Sequence, residues 1–202
     1  MSTRKRLVRE FYTRSALVVA KDILGKYIVR VWRGRKIIGK IVEVEAYYGP
    51  RDRASHAYGG KRTERNRAEY MVGGHIYIYL VYGMYWQCNI STGPAEHPEC
   101  VLIRAVEPVQ GFGDREASGP GKFCRVFKLD KSFYGEDLTK SKRLWLEDNP
   151  EKFKIARSAR IGIDYAGPYW SKIPWRFYIK GNPYVSGLQS HSRLDRKQSH
   201  HA

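Results

Sequence analysis

Cysteine is scarce in this chain, and its three residues stand far apart. Cys88, Cys100 and Cys124 form no CxxC pair, which argues against both a disulfide framework and a cysteine-ligated zinc site. We predict buried free thiols in a reducing compartment. Five of the six histidines show no metal-ligand spacing, so we expect no metal and no other cofactor.

Long apolar segments are also missing. The N-terminal stretch MSTRKRLVREF is basic but lacks the apolar core of a signal peptide. No run approaches the roughly 20 apolar residues that a transmembrane helix needs. We therefore expect an intracellular protein without membrane contact, in the cytoplasm and nucleoid, or in the nucleus of a eukaryote.

Acidic residues are few compared with basic ones. The chain has 37 Lys and Arg against 20 Asp and Glu, a formal charge of +17. Such an excess favours a polyanionic partner, because basic side chains that neutralise phosphates release counterions. Simple solubility or an anionic membrane surface would explain the charge as well. The interleaving of basic and aromatic residues favours nucleic acid.

The order of predicted elements indicates one α+β domain with a largely antiparallel sheet. The 202 residues suffice for one well-buried core. Strands dominate the middle of the chain, and short helices are predicted at residues 15–25, after SGPG, and near residues 155–160. We place a basic, loose lead-in at residues 1–14, the folded domain at residues 15–186, and a polar, frayed tail at residues 187–202.

The stretch GHIYIYLVYGMYWQCNIS predicts a β-hairpin with an unusual tip. Residues 76–81 and 85–91 alternate as two strands, and Gly83 is suited to a positive φ in the turn between them. A tip usually carries Asn, Asp, Ser or Gly, yet here Tyr82 and Met84 flank the glycine. Tyr82 is a candidate wedge between base pairs. The alternative is a contact with a neighbouring loop.

The stretch IVEVEAYY places two carboxylates on one face of a strand. Glu43 and Glu45 are two residues apart, about 7 Å along a strand, and Tyr47 shares their face. The ordinary explanation is pairing with cross-strand Lys or Arg. His56 follows in a loop rich in Gly and Arg, so a carboxylate, an imidazole and an aromatic ring could converge in a catalytic site.

Two polar residues interrupt strands that are otherwise apolar. Asn89 is disfavoured in the returning strand of the hairpin, so it either closes a local hydrogen bond or lines a polar pocket. Arg104 lies within CVLIRAV and needs a carboxylate partner, for which Glu45 is available. The GPGK segment lacks the spacing of a nucleotide P-loop, but its Lys122 could bind a backbone phosphate.

Several of these segments together resemble the alkyladenine (3-methyladenine) DNA glycosylase family. The resemblance runs in order from about Gly25 to Ser186 and rests on IVEVEAYYGPRDRASHAYGG, RTERNR, YIYLVYGMYWQCNIS, VLIRAVEP, GPGK and RFYIKGNPYVS. It implies a single α+β domain with a curved antiparallel sheet, flanking helices and a protruding hairpin that enters the DNA minor groove. By similarity, Tyr82 fills the gap left by a flipped nucleotide, with Met84 beside it.

The resemblance also assigns roles in the pocket. Glu45 matches the general base that activates the water attacking C1′, and Arg104 matches the residue that helps place this water. Tyr47 and His56 match the pair that sandwiches the flipped base, Tyr79 packs beside it, and Asn89 crowds the exocyclic amine of guanine. We therefore take Glu45, Arg104 and His56 as catalytic candidates and expect phosphate contacts from another set. That set is Arg62, Thr63, Arg65 and Lys122.

The activity implied is hydrolysis of the N-glycosidic bond of alkylated purines in double-stranded DNA, by a monomer whose hairpin reaches the duplex unobstructed. Some family members also remove hypoxanthine or etheno-adenine, and the sequence leaves these deaminated or etheno substrates open. The segment between Glu107 and Gly119 is short, which leaves its DNA contacts open. Two alternatives remain: a glycosylase/lyase with an amine nucleophile such as Lys122, and a non-enzymatic nucleic-acid-binding module.

Overall fold

One antiparallel sheet organises the described part of the chain, which is residues 4–187 of the computed structural model. Its strands follow the order β3-β4-β5-β2-β1-β7, with β6 beside β5, and with β9 between β2 and β8. The nine strands within these residues are β1 (Tyr27–Trp32), β2 (Arg35–Tyr47), β3 (Ile76–Val81), β4 (Tyr85–Thr92), β5 (Glu99–Gln110), β6 (Ala117–Ser118), β7 (Leu144–Glu147), β8 (Ile155–Ser158) and β9 (Arg176–Ile179).

The long strand β2 curls the sheet. Its first half pairs with β1, and its second half pairs with β9 at Glu43, Val44 and Glu45. Along its other edge β2 pairs with β5, with register shifts on both sides of Glu43. Such bulges bend a strand and increase its twist. The bend therefore lies at the two glutamates that the sequence predicts to share a face.

Within the described part of the chain, three α-helices pack around this sheet: α1 (Arg9–Tyr12), α2 (Ala16–Asp22) and α3 (Pro120–Phe127). α2 follows Ser15 and ends before the positive φ of Gly25, as the sequence predicts. α3 contributes Phe123 and Phe127, both fully buried, to the main apolar core. Short 3₁₀ helices occupy Gly49–Arg51, Tyr58–Gly60, Arg67–Tyr70, Lys131–Phe133, Asp164–Ala166 and Trp170–Lys172.

The predicted hairpin forms between β3 and β4, in register from Ile76 with Ile90 to Val81 with Tyr85. Its tip takes a positive φ at two successive residues, +51° at Tyr82 and +66° at Gly83. This is the backbone of a primed turn, which matches strand twist but normally selects Asn, Asp or Gly. Tyr82 therefore occupies a conformation that a bulky residue rarely adopts.

Two sequence expectations are wrong. Residues 155–158 form the strand β8 rather than a helix, because they pair with β9 from Ile155 with Ile179 to Ser158 with Arg176. The lead-in is not loose over residues 4–14: Tyr12 is fully buried, and Arg9 forms a 2.5 Å ion pair with Asp137. The predicted tail, apart from Gly187, lies outside the described residues.

The three thiols are buried and free, as predicted. Burial raises the pKa of Cys88 to about 12, so this thiol stays protonated and inert. Within residues 4–187, no helix combines the length and apolar character needed to cross a membrane.

Candidate active site

Glu45 lies at the bend of β2 with no exposed surface, and three donors surround its carboxylate. Oε1 accepts a 2.8 Å hydrogen bond from the backbone N–H of Ile161 and lies 3.2 Å from Nη1 of Arg104. Oε2 accepts a 2.9 Å hydrogen bond from the Tyr47 hydroxyl. Burial raises the pKa of Glu45, whereas these three donors act to lower it. The predicted pairing of Arg104 with Glu45 is confirmed.

Glu43, the other carboxylate on this face, holds Arg104 in place. Its Oε1 accepts from Nε of Arg104 at 2.9 Å and from Nε of Arg176 at 2.7 Å. The backbone N–H of Ser186 donates to its Oε2 at 2.6 Å. Because Glu43 is fully buried and bonded on both oxygens, it serves as an anchor beneath Arg104. Glu43 therefore makes the ordinary cross-strand pairs with arginine, and it shares Arg104 with Glu45.

A cleft leads from the hairpin to a narrow inner cavity. The outer cleft has a volume of about 680 Å³, and its walls include Tyr82, Arg104 and Ile161. The inner cavity offers about 30 Å³, room for one or two water molecules. Both cavities share four wall residues, so they lie next to each other against the same rings. The shared residues are Tyr47, His56, Tyr79 and Tyr165.

His56 and Tyr79 pack edge to face in this wall, with ring centroids 4.7 Å apart. Nδ1 of His56 lies 2.6 Å from the hydroxyl of Tyr77, which fixes the ring orientation. Partial burial of the ring, with Arg65 and Lys61 nearby, lowers the pKa of His56 and favours the neutral imidazole. The part of the wall that the two cavities share is therefore made of aromatic rings.

A buried ion pair supports the loop that carries His56. Nη1 and Nη2 of Arg160 lie 2.5 Å and 2.9 Å from the two carboxylate oxygens of Asp52, and both side chains are fully buried. Asp52 also accepts hydrogen bonds from the backbone N–H groups of Tyr48 and Ala54. The guanidinium of Arg160 lies 4.8 Å from the ring centroid of Tyr47. This pair thus connects both sides of the cavity mouth.

Asn89, Cys100 and Glu69 line the inner cavity. Nδ2 of Asn89 donates to the carbonyl oxygen of Tyr77 at 3.2 Å, so this residue both closes a local bond and lines a pocket. Sγ of Cys100 donates to Oε1 of Glu69 at 3.3 Å. Burial raises the pKa of Glu69 to about 8, which favours the neutral acid at physiological pH.

The hairpin tip projects beside the outer cleft. Tyr82 is 86% exposed and Met84 is 67% exposed, so neither side chain packs against a neighbouring loop. Tyr85, at the start of β4, is 42% exposed and lies close to Gly121 at the beginning of α3. Two exposed apolar side chains at the end of a hairpin form a surface suited to contact with a partner.

The four phosphate-contact candidates have different surroundings. Arg62 forms a 2.5 Å ion pair with Glu96, and the Thr63 hydroxyl donates to Oδ1 of Asn66. Arg65 lies over the ring of Tyr79 and donates to a backbone carbonyl, so it also builds the pocket wall. Lys122 is exposed and lies 3.7 Å from Glu116. Their contact with phosphate stays a prediction.

Most of the residues that the sequence predicts for the site lie together in the structure, and the structure adds others. Tyr47, His56, Tyr79 and Asn89 line one cavity, with Glu45 directly behind Tyr47. The Asp52–Arg160 pair, Glu69 and Tyr165 were not expected, because nothing in their local sequence distinguishes them from surface residues. Among residues 4–187, no group of three or more His, Cys, Asp or Glu is arranged to hold a metal ion.

The proteins to which this chain is similar are DNA glycosylases. The family model described as methylpurine-DNA glycosylase matches residues 10–183. A "Putative 3-methyladenine DNA glycosylase" of Clostridium novyi (strain NT) is 46% identical over 201 residues, covering 90% of this chain and 98% of its own. The "DNA-3-methyladenine glycosylase" of Mus musculus is 40% identical over 206 residues, covering 90% of this chain and 61% of its own.

Proposed function

The chain belongs to the methylpurine-DNA glycosylase family, and we propose that it hydrolyses the N-glycosidic bond of alkylated purines in double-stranded DNA. The substrates we propose are 3-methyladenine and 7-methylguanine, with hypoxanthine and etheno-adenine as further candidates. The target nucleotide is flipped out of the duplex, because the bond to be cut is not accessible within a base stack. The chain acts as a monomer and needs neither a metal nor a cofactor.

The observation that carries this proposal is the Glu45 carboxylate behind an aromatic cleft. Hydrolysis at C1′ needs a base for the attacking water and an anion near the oxocarbenium-like sugar. Glu45 can supply both while Arg104, at 3.2 Å, favours its ionised form. Because Oε2 is covered by the Tyr47 hydroxyl, entry of the base must turn this hydroxyl away before water reaches the carboxylate.

The rings of Tyr47, His56 and Tyr79 are suited to hold the flipped base. Their π-faces attract a purine that carries a positive charge after methylation, by about 0.5–2 kcal/mol for each good contact. The methylated base is also the better leaving group, so the enzyme needs little help from an acid. Asn89, which lines the inner cavity, disfavours guanine by crowding its exocyclic amine.

The hairpin tip is suited to fill the gap in the duplex. Tyr82 is exposed at the end of a two-stranded element, and Met84 lies beside it on the same tip. An apolar wedge of this kind partially unstacks a base step, at a cost of a few kcal/mol that the new contacts offset. We assign phosphate contacts to Arg62, Thr63, Arg65 and Lys122, which are consistent with the net charge of +17.

Base release from methylated duplex DNA tests the proposal. The freed purines are separated by chromatography for the wild type, Glu45→Gln and the control Glu107→Gln, whose carboxylate pairs with Lys40 away from the cleft. We expect release of 3-methyladenine by the wild type and the control, and a loss of at least about a hundredfold for Glu45→Gln. Near-normal single-turnover rates for Glu45→Gln would exclude Glu45 as the base.

Two additional observations separate this reaction from the alternatives. Borohydride should trap no covalent adduct, whereas a lyase using an amine such as Lys122 would be trapped on abasic DNA. Specific binding to lesion-containing DNA without release of any purine by the wild type would instead indicate a non-enzymatic binding module.

A further inference from the structure

Glu69 lies at the inner end of the cavity that we assign to the flipped base. Its side chain lines the inner cavity together with Asn89 and Cys100, and the residue is 1% exposed. The inner cavity is too small for a purine ring, so a base stacked between Tyr47 and His56 would direct one edge toward Glu69. Sequence similarity assigns no role to this residue.

The carboxyl group of Glu69 is incompletely bonded. Its Oε1 accepts from Cys100 Sγ, and the nearby Asn66 side chain also interacts with the carboxyl group and lowers its pKa. Oε2 has no partner at hydrogen-bonding distance among the described residues. A buried polar atom of this kind is costly unless a ligand or water bonds to it. The groups that interact electrostatically with Glu69 are neutral or acidic. They are Asp52, Tyr70, Tyr77, Tyr79, Cys100 and Tyr134.

Arginine side chains lie beside this cavity. Arg104 and Arg65 line the outer cleft, and Arg160 lies against the ring of Tyr47. Arg104 and Arg160 are paired with carboxylates, whereas Arg65 bonds to the carbonyl oxygen of Leu80. The carboxylates of Glu43, Glu45 and Asp52 are thus engaged by arginine, and a positively charged base needs an anion that is not already neutralised in this way.

We propose that Glu69 is a specificity-determining residue that recognises purines carrying a formal positive charge, by binding their edge through the free oxygen Oε2. This inference rests on the proposed function, because it concerns the same base pocket. A cationic base beside Glu69 favours its carboxylate form, whereas a neutral base does not. The charged lesion is thereby bound more tightly than its unmodified counterpart.

Proton linkage gives this recognition a measurable signature. In the empty pocket burial raises the pKa of Glu69 to about 8, so the acid is mostly neutral below that pH. Binding of a cationic base lowers this pKa and releases the proton. The affinity for the charged lesion then rises with pH, by at most about tenfold per pH unit, until the free carboxyl is itself ionised.

The experiment compares wild type with Glu69→Gln, which keeps the shape and both hydrogen-bonding functions but cannot ionise. A duplex with one 7-methylguanine is the probe, and the half-saturating enzyme concentration is measured in single turnovers at about pH 5 and about pH 6.5, where N1 of 7-methylguanine keeps its proton and the base stays cationic. We expect the variant-to-wild-type ratio to rise by about tenfold or more between these pH values. Effects of pH on Glu45 and on DNA backbone contacts cancel in this ratio.

A second measurement avoids the variant altogether. The wild type is titrated over the same pH range with a second duplex, which carries a tetrahydrofuran abasic analogue and so has no base. The binding free energy of this duplex is subtracted from that of the 7-methylguanine duplex at each pH. We expect this difference to grow with pH, because only the 7-methylguanine duplex places a cationic base beside Glu69. A flat difference, or a loss for Glu69→Gln that is equal at both pH values, overturns the proposal for Glu69 while base release still stands. Absence of base release by the wild type would overturn the proposed function instead.

Discussion

The hydroxyl group of Tyr47 donates a 2.9 Å hydrogen bond to Oε2 of Glu45. On the other carboxylate oxygen, Ile161 and Arg104 supply the remaining donors. The side chain proposed to stack on the base is therefore also bonded to the proposed general base. Substrate entry and exposure of the carboxylate are coupled through one residue.

Tyr47→Phe should move the acid limb of the pH–rate profile to higher pH. Glu45 must be ionised to act, so activity is lost as pH falls through its pKa. Burial raises this pKa and the Tyr47 hydrogen bond lowers it, so removing the hydroxyl raises it further. A hydrogen bond to a charged group contributes about 1.5–3 kcal/mol, which corresponds to an upward shift of roughly one to two pH units.

Single-turnover rates at subsaturating enzyme concentration provide the measurement across the acid range, with Tyr79→Phe as the control. In this regime the pH profile reports the free enzyme, in which the Tyr47 hydroxyl still bonds to Glu45. Tyr79 lines the same cavity, while the hydroxyl hydrogen bond to Glu45 comes from Tyr47. The control should keep the wild-type acid limb. A shift to lower pH in Tyr47→Phe, or an equal shift in both variants, would show that the hydroxyl does not stabilise the carboxylate.

Tyr82→Ser should weaken binding to lesion-containing DNA more than binding to undamaged duplex. The wedge contributes only when a nucleotide has left the stack, so the ratio of the two affinities should fall about tenfold. Fluorescence anisotropy in a Glu45→Gln background measures both affinities without turnover. Tyr85→Ser, in the strand pair next to the tip but with its ring against Gly121, should leave the ratio near its starting value. Equal losses on both DNAs for Tyr82→Ser would mark it as a backbone contact.

Tyr82→Asn should stabilise the free protein while it impairs lesion binding. Tyr82 has a φ of +51°, a conformation that costs most residues about 1–2 kcal/mol but that Asn adopts readily. We expect the free energy of unfolding in urea to rise by up to about 1 kcal/mol. Tyr85→Asn should lower it, because Asn is disfavoured in a strand. An unchanged or lower stability for Tyr82→Asn would show that the tip carries no backbone strain.

Sequence reasoning succeeded where local pattern decides the structure. Alternation through the aromatic stretch gave the hairpin, and the isolated Arg104 in an apolar strand identified its partner Glu45. The sequence of residues 155–158 predicts a helix where a strand forms, because a four-residue edge strand is defined by its pairing with β9 rather than by its own pattern. The lead-in was misjudged because its basic residues find partners more than a hundred positions away, such as Asp137 for Arg9.

The missed part of the site has the same physical origin. Asp52 and Arg160 are separated by 108 positions, and neither lies in a motif of its own. Glu69 sits in a 3₁₀ helix of four residues, where its burial depends on the strands that close over it. Side chains that acquire a role only through long-range packing leave no periodic or compositional signal in the sequence.

Asp52→Asn should destabilise the protein strongly, although the substitution preserves the size of the side chain. It leaves the Arg160 guanidinium buried without its counter-charge, and breaking one partner of such a pair costs about 3–5 kcal/mol. Glu96→Gln removes the partner of Arg62 from an exposed ion pair, which should cost at most about 1 kcal/mol. Urea unfolding at neutral pH measures both variants.

Because Arg160 also lies against the ring of Tyr47, Asp52→Asn should lower base release even under conditions in which it stays folded. Equal, small losses of stability in the two variants would show that the Asp52–Arg160 pair does not hold the two sides of the cavity mouth together.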